Sequence, residues 1–377
     1  MSIVEVCFAV FLLALLQRFI FRRFWKNGLF IELKFSSDTA VEGDTVNLTE
    51  TLTNRKILPL PWVAAKFQVS RHLLFKDVAN SQVSDDYYRN DLFSVMMFQR
   101  ITRTLPFVCG KRGFYRIKSV DLVSNDMLYT QKLYSLEKSD ARLTVYPRLI
   151  DVDEFAVPYK KISGNILARR FINPDPFEFK GIREYQSYDS FKTINFKASA
   201  KTGRYMVNMY DYTVAQEIVI LPNLQKYSAW VSLPLFEKSI RLAASLADHY
   251  AKEGVPVALV SNGRDVISGR HVDIKSGLSG RHLDTIYDAL ARIDLDAEAA
   301  PIMDYTRDYG GPGQTDRVYI LISTYTEPDL AAEFTRLKEL GSDALWIIPA
   351  EYATKIYVEL GETGASKIVK WEAGPDE

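Results

Sequence analysis

The sequence predicts a multidomain α+β chain in which an N-terminal membrane helix leads into an Ig-like β-sandwich and then into an α/β domain. Three observations predict it. A greasy run opens the chain, short alternating runs with turn signals follow to about Pro147, and after Ala215 compact apolar strands alternate with helical stretches. With 377 residues, 47% hydrophobic and 25% charged, the chain is long enough for two domains with real cores and is not composed like a disordered one.

Residues 1–26 are the predicted anchor. Residues 3–16 read IVEVCFAVFLLALL, broken by Glu5, and QRFIF extends the run to Phe21 before Arg22, Arg23, Trp25 and Lys26. At about 1.5 Å per residue this run just crosses a hydrocarbon core of about 30 Å, with Glu5 at one rim and Arg18 snorkelling at the other. It lacks the basic n-region and small-residue cleavage site of a signal peptide. The basic residues after it place the N-terminus outside and the body in the cytoplasm, a single-pass topology in the cell membrane. The alternative is a hydrophobic helix docked on a soluble body.

Residues 30–150 carry the sandwich pattern. FIELKF, TVNLTETL, WVAAKFQV, ITRTLPFV and KSVDLV alternate with period two between turn signals. VEGDTV, residues 41–46, predicts a tight turn feeding a strand. LPLPW, ending at Trp62, is too rich in proline for a central strand, and KRGFYR, residues 111–116, reads as a hairpin corner.

Residues 151–214 form a connector whose key stretch, GIREYQSYDSFKTINFKASAKTGRYMVNMYDY, begins at Gly181. Asp189 or Ser190 is placed to cap a short helix with Phe191, Ile194 and Ala198 on its apolar face, and Lys197 and Lys201 suit its last turn. Gly203 suits its C′ position, and RYMVNMYDY then alternates like a strand. Arg183, Tyr185 and Asp189 cannot all be core, because a buried arginine needs a charged partner and a buried tyrosine hydroxyl a hydrogen bond. An Arg183–Asp189 contact fixes the connector. It leaves Lys192, Lys197, Lys201 and Arg204 as a basic face beside exposed tyrosine rings, a composition suited to protein recognition.

Residues 215–377 read as α/β. EIVIL, VPVALVS, RVYILIS and DALWIIP are the apolar strands. Phe236, Ile240, Ala243, Ala247 and Tyr250 share one face of a first long helix, and Leu283, Ile286, Tyr287, Leu290 and Ile293 share one of a second. Asn262-Gly263 is a favoured two-residue hairpin turn, which adds an antiparallel strand, and YGGPGQ, residues 309–314, is a loop.

Composition and motifs exclude more chemistry than they assign. Lys+Arg 47 balance Asp+Glu 47, so no global field recruits nucleic acid. Cys7 and Cys109 are far apart, which argues against a disulfide framework or a cysteine zinc site. His72, His249, His271 and His282 lack the His-Glu-x-x-His spacing, and there is no Gly-x-Ser-x-Gly elbow. GETGASK, residues 361–367, has the glycines of a phosphate loop without its Gly-Lys-Ser/Thr ending. Asp85-Asp86 and the trio Asp151, Asp153 and Glu154 sit in loop-like sequence as solvated charges. No metal and no cofactor is expected.

The arrangement of Gly181, Arg183, Tyr185, Asp189, Ile194 and the run Lys197-Ala198-Ser199-Ala200-Lys201, preceded by Phe177-Glu178-Phe179, resembles the signature of the bacterial domain-of-unknown-function 58 family. That pattern is roughly Gly-x-Arg-x-Tyr, Gly-Asp, then Arg-x-Ile-Asp-Trp-x-x-Ser-Ala-Arg, and this chain departs from it at Tyr188, Lys192, Asn195, Phe196 and Lys201. In the sandwich, Lys111-Arg112-Gly113 and Asn125-Asp126-Met127-Leu128 resemble the family's Arg-Arg-Gly and Asp-Pro-Phe-Gly-Leu elements.

The resemblance implies a Rossmann-like, von Willebrand factor A-like domain at residues 215–377 and a MoxR-type AAA+ ATPase as protein partner. Many such domains hold a divalent cation with an Asp-x-Ser-x-Ser loop after the first strand, but here Ile218 to Leu221 is followed by Pro222, Asn223, Leu224 and Gln225, and the later strand by Thr324 and Tyr325. A metal site is therefore not expected. Two functions stay open: a membrane-tethered, non-catalytic adaptor contacting lipid through its helix, or an enzyme or metal-dependent binder with a site around Arg183, Asp189 and Lys192.

Overall fold

The computed structural model describes residues 3–75, 81–83, 86–150, 179–186, 189–210, 217–226, 232–306, 317–339, 343–350, 361–363 and 366–372. The chain divides into two compact units, with the main boundary at Arg148–Leu149.

In the first unit, α1 (Ile3–Phe24) carries Glu5 in its first turn and Arg22 and Arg23 in its last, the charge order that a helix dipole favours. It is long and apolar enough to cross a membrane. The apolar run does not all face outward, however. Phe21 and Trp25 are buried in the sandwich core, so the expected lipid-facing run ends before Phe21. The last turn is also tied down by Lys26 to Glu137 at 2.7 Å and by Gln131 Nε2 donating to the Arg18 carbonyl at 2.9 Å.

The strands that follow are β1 (Leu29–Phe35), β2 (Thr39–Val41), β3 (Thr45–Asn54), β4 (Leu60–Ser70), β5 (Leu73–Phe75), β6 (Ser81–Val83), β7 (Asp86–Val95), β8 (Arg100–Cys109), β9 (Gly113–Asn125) and β10 (Lys132–Tyr146). They form two sheets, ordered β1-β3-β8-β5 and β2-β10-β9-β4-β7-β6. Leu48, Leu52, Val63, Phe107, Leu122 and Leu143 fill the space between them, as period-two alternation requires. The VEGDTV turn forms as expected, with Gly43 at φ 99° and the Asp44 carboxylate accepting the Val41 N–H at 2.9 Å.

Two expectations in this unit are corrected. The proline-rich stretch is the start of a central strand, because β4 pairs with both β7 and β9, and a register shift between Leu60 and Val63 accommodates Pro61. KRGFYR is not a hairpin corner. It carries the chain from β8 in one sheet to β9 in the other, where the Tyr115 hydroxyl donates to the Lys111 carbonyl at 2.7 Å.

In the second unit, β11 (Phe179–Glu184), α2 (Phe196–Thr202) and β12 (Met206–Tyr210) form a strand–helix–strand connector with an antiparallel two-stranded sheet. Then come β13 (Glu217–Asn223), α3 (Leu233–Lys252), β14 (Val257–Asp265), β15 (His271–Gly277), α4 (Gly280–Arg292), β16 (Ile293–Asp294), α5 (Met303–Thr306), β17 (Arg317–Ser323), α6 (Pro328–Glu339), β18 (Asp343–Ala350), β19 (Gly361–Thr363) and β20 (Ser366–Glu372). The sheet order is β15-β14-β13-β17-β18-β20-β19, parallel from β14 to β20 with antiparallel strands at both edges. Helical crossovers between parallel strands bury both sheet faces, which is why β13 and β17 read as continuous apolar runs. The expected stripe of α3 is buried in full; in the second helix Ile286, Leu290 and Ile293 are buried, while Leu283 and Tyr287 are half-buried.

The antiparallel strand β15 exists, but Asn262-Gly263 is not its turn. Both residues lie inside β14, and the turn is at residues 266–269, where Gly269 has φ 68° and the Asp265 carboxylate accepts the Ile267 and Ser268 N–H groups at 2.8 and 2.7 Å. GETGASK opens no helix; its described residues belong to the β19–β20 antiparallel pair. YGGPGQ and the trio Asp151, Asp153 and Glu154 lie outside the described residues, as does Asp85; Asp86 begins β7.

Candidate functional site

The connector brings Arg183 and Asp189 together. Its two guanidinium N–H groups reach the two carboxylate oxygens at 2.6 Å each, a forked pair, and the Gln186 N–H adds a bond to Asp189 at 2.8 Å. The Arg183 fork holds the Asp189 carboxyl below its ordinary range. Tyr185 is half-buried, its ring 5.6 Å from Phe191 and 6.4 Å from Tyr205.

The short helix begins later than expected. Ser190 opens a single 3₁₀ turn, Phe191–Thr193, and Asn195 caps α2, its Oδ1 accepting the Ala198 N–H at 2.9 Å while its Nδ2 donates to Asn208 at 2.7 Å. Gly203 ends the helix in the left-handed conformation at φ 69°. The shift turns Phe191 outward, 75% exposed, and leaves Phe196 73% exposed. Lys192, Lys197, Lys201 and Arg204 are exposed around these rings, and Arg204 meets Glu184 at 3.4 Å in a solvated pair worth little. Sequence reasoning missed the two phenylalanines as surface groups, because it assigned Phe191 to an inward face and Phe196 to no face.

A second polar constellation joins the carboxyl ends of β13 and β17 to the neighbouring stretch of β14, on the side where ligands of open α/β sheets gather. Asn223 donates to the Ser323 hydroxyl at 3.0 Å, and Asn262 donates to Asn223 Oδ1 and to the Ala300 carbonyl at 2.7 Å each. The Leu224 and Gln225 N–H groups are accepted by Asn262 at 2.8 Å and by Asn223 at 3.1 Å. Two buried amides thus tie three strands to each other with neutral groups. Hard cations favour charged oxygen sets, and among the described residues no group of three or more His, Cys, Asp or Glu is placed to hold a metal ion.

Cys109 is buried, and burial with nearby Asp44 pushes its thiol up to about 11, the opposite of an activated thiolate. His282 bonds the Val257 carbonyl at 2.7 Å, and His271 stacks on Tyr305 at 4.2 Å.

The sandwich also contains an open cleft of about 1040 Å³. β4 and β9 pair only through Val63–Lys66 and Asp121–Ser124, and beyond Lys66 the two strands part. An extra residue in β10 opposite Lys118 makes a bulge that bends β10 at the same level. Phe67, Leu73 and Ile117 lie at its apolar side and Lys66, Arg116 and Lys118 at its polar side.

No family model matches the chain, and no curated protein does. Solved structures give faint likenesses. The CARDB domain of the PF1109 protein from Pyrococcus furiosus is 12% identical, covering 32% of this chain and 90% of its own, with a TM-score of 0.22. A non-cellulosomal cohesin from Archaeoglobus fulgidus is 11% identical, covering 33% and 94%, with a TM-score of 0.20. The sporulation control protein Spo0M from Bacillus subtilis is 11% identical, covering 42% and 58%, also at 0.20.

Proposed function

We propose that this chain is a membrane-tethered, non-catalytic adaptor of the domain-of-unknown-function 58 kind, whose α/β half is von Willebrand factor A-like and whose partner is a MoxR-type AAA+ ATPase. The observation that carries the reading is the connector. Exposed Phe191, Phe196 and Tyr205 stand among Lys192, Lys197, Lys201 and Arg204 on a piece of structure held rigid by the Arg183–Asp189 fork and the Asn195 cap. Aromatic rings with cationic neighbours on a preorganised backbone are the ingredients of a protein-binding hot spot. The neutral amide cluster at the sheet edge fits recognition without a bridging cation.

In this reading α1 spans the cell membrane with its N-terminus outside, and the two units face the cytoplasm. Cys109 is too buried to report that orientation, so the topological test uses Ser37→Cys at an exposed turn in a Cys7→Ser chain. A membrane-impermeant thiol reagent should leave it unlabelled in intact cells and label it after lysis. The partner test is recovery of the detergent-solubilised chain from its own host with and without ATP. Co-purification of an AAA+ ATPase that is lost in a Lys197→Glu, Lys201→Glu chain supports the adaptor; ATPase recovery unaffected by the double substitution rejects the connector as its docking face.

A further inference from the structure

The sandwich has two ends of opposite character. At the far end the described turns present Ser36, Ser37 and Asp38, then Glu42 and Asp44, then Arg71 and His72, then Lys111. At the end where α1 enters, each loop carries exposed apolar side chains: Ile57 between β3 and β4, Met96, Met97 and Phe98 between β7 and β8, and Met127, Leu128 and Tyr129 between β9 and β10. Soluble loop tips are polar as a rule, and an apolar cluster of this kind needs an apolar neighbour.

These tips are built to stay outward. Buried Asn54 donates to the Leu58 and Met96 carbonyls at 3.0 and 2.8 Å, and the Phe98 N–H reaches the Lys56 carbonyl at 3.2 Å, which locks two loops side by side. Buried Asp126 accepts the Thr130 and Gln131 N–H groups at 2.6 and 3.1 Å and shapes the third. Phe98 and Tyr129 sit at φ 52° and 58°, a left-handed conformation that costs a bulky residue free energy. Both residues are more than 60% exposed in the structure, Phe98 at 67% and Tyr129 at 62%, so packing within the sandwich offsets little of that strain.

The helix supplies the occupant. Gln131 holds the Arg18 carbonyl, so the 126–131 loop already overlaps the helix at residue 18, and Phe21 and Trp25 fuse the helix end into the core. Residues 3–16 then rise only about 21 Å above that level. A hydrocarbon core is about 30 Å thick, so a spanning α1 draws the loop tips into the near leaflet. Arg18, Arg22, Arg23 and Arg55 ring this end as exposed cations, the complement of an anionic lipid surface. The Lys56 ammonium, in the same loop as Ile57, is buried with no acceptor among the described residues, and burial pulls it down to about 8.

We infer that the three apolar loop tips of the sandwich, at Ile57, Met96–Phe98 and Met127–Tyr129, insert into the anionic bilayer around the base of α1 and form a second, interfacial membrane contact. The inference rests on α1 spanning the membrane, and the test separates the two. The full chain, with Cys7→Ser, is reconstituted in anionic nanodiscs carrying nitroxide-labelled acyl chains, and a fluorophore is attached at Met97→Cys, Leu128→Cys, Leu12→Cys or Ser37→Cys. Loss of fluorescence at 97 and 128 approaching that at 12, with 37 staying bright, is the expected result. Quenching at 12 with 97 and 128 as bright as 37 overturns the loop contact and leaves the span; brightness at all four sites overturns both.

Discussion

The two units each bury a polar cluster, and the clusters have opposite chemistry. In the sandwich, Arg89 and Asp91 on β7, Arg103 on β8 and Glu50 on β3 meet between the sheets: Asp91 takes Arg89 at 3.0 Å and Arg103 at 3.1 Å, while the Glu50 oxygens meet no donor among the described residues. In the α/β unit, Asn223, Asn262 and Ser323 satisfy one another without a charge. Charged clusters are expensive to bury and fail badly when one member goes, whereas neutral ones lose a few hydrogen bonds. The sandwich cluster should therefore respond strongly to substitution and to pH, and the sheet-edge cluster moderately to the first and not to the second.

The largest effect is expected from Asp91→Ala, which leaves the buried Arg89 guanidinium without its carboxylate; denaturant unfolding should show a loss of about 3–5 kcal/mol. Asn262→Ala removes a donor to the Ala300 carbonyl and the acceptor for the Leu224 N–H, and the same measurement should show about 2–3 kcal/mol. Equal losses at the two sites would erase the distinction between charged and neutral clusters.

Glu50 sharpens the contrast through pH. Burial, and then the charge of Asp91, push its carboxyl up to about 8 from 4.5. Between those values the native state holds a proton that the unfolded state releases, so stability falls as pH rises through that window and levels off above it. Glu50→Gln should remove this slope and raise stability at pH 8 by on the order of 1 kcal/mol, since the amide still leaves polar atoms buried. A wild-type stability that is flat from pH 5 to 8 would mean Glu50 is ionised in the fold.

Much of this was legible in the sequence, and each miss has its own physical reason. Period two already puts Glu50 on the inward side of β3 with Val46, Leu48 and Leu52, yet a charge in that series looks like an interruption rather than a core group. Phe21 and Trp25 sit in a run where lipid-facing and core-facing residues have the same composition, so hydropathy cannot tell them apart. Asn262-Gly263 was read by its turn chemistry, but Gly263 is there for space: a Cβ would come within 2.7 Å of Ile293 and of Leu224. The Arg183–Asp189 contact was readable because a partly covered guanidinium and a nearby carboxylate favour pairing. The outward turn of Phe191 was not, because it depends on which of three neighbouring residues caps the helix.

The smallest stability effect is expected at the connector, where the polar pair is neither deep nor alone. Arg183 is about one-third exposed, so Arg183→Ala should lower the melting temperature by no more than a few degrees. Because the fork holds the Asp189 carboxyl below its ordinary range, its contribution is present above the unfolded value and lost as pH falls through the depressed one. Wild type and Arg183→Ala should therefore differ at neutral pH and converge as pH drops below about 4. Arg183→Lys keeps the charge and loses the fork, so it should fall between the two at neutral pH. A gap that persists unchanged in acid would show that Arg183 acts through packing of its stem rather than through Asp189, and the connector would then owe its rigidity to the Asn195 cap and the Tyr185 ring stack instead.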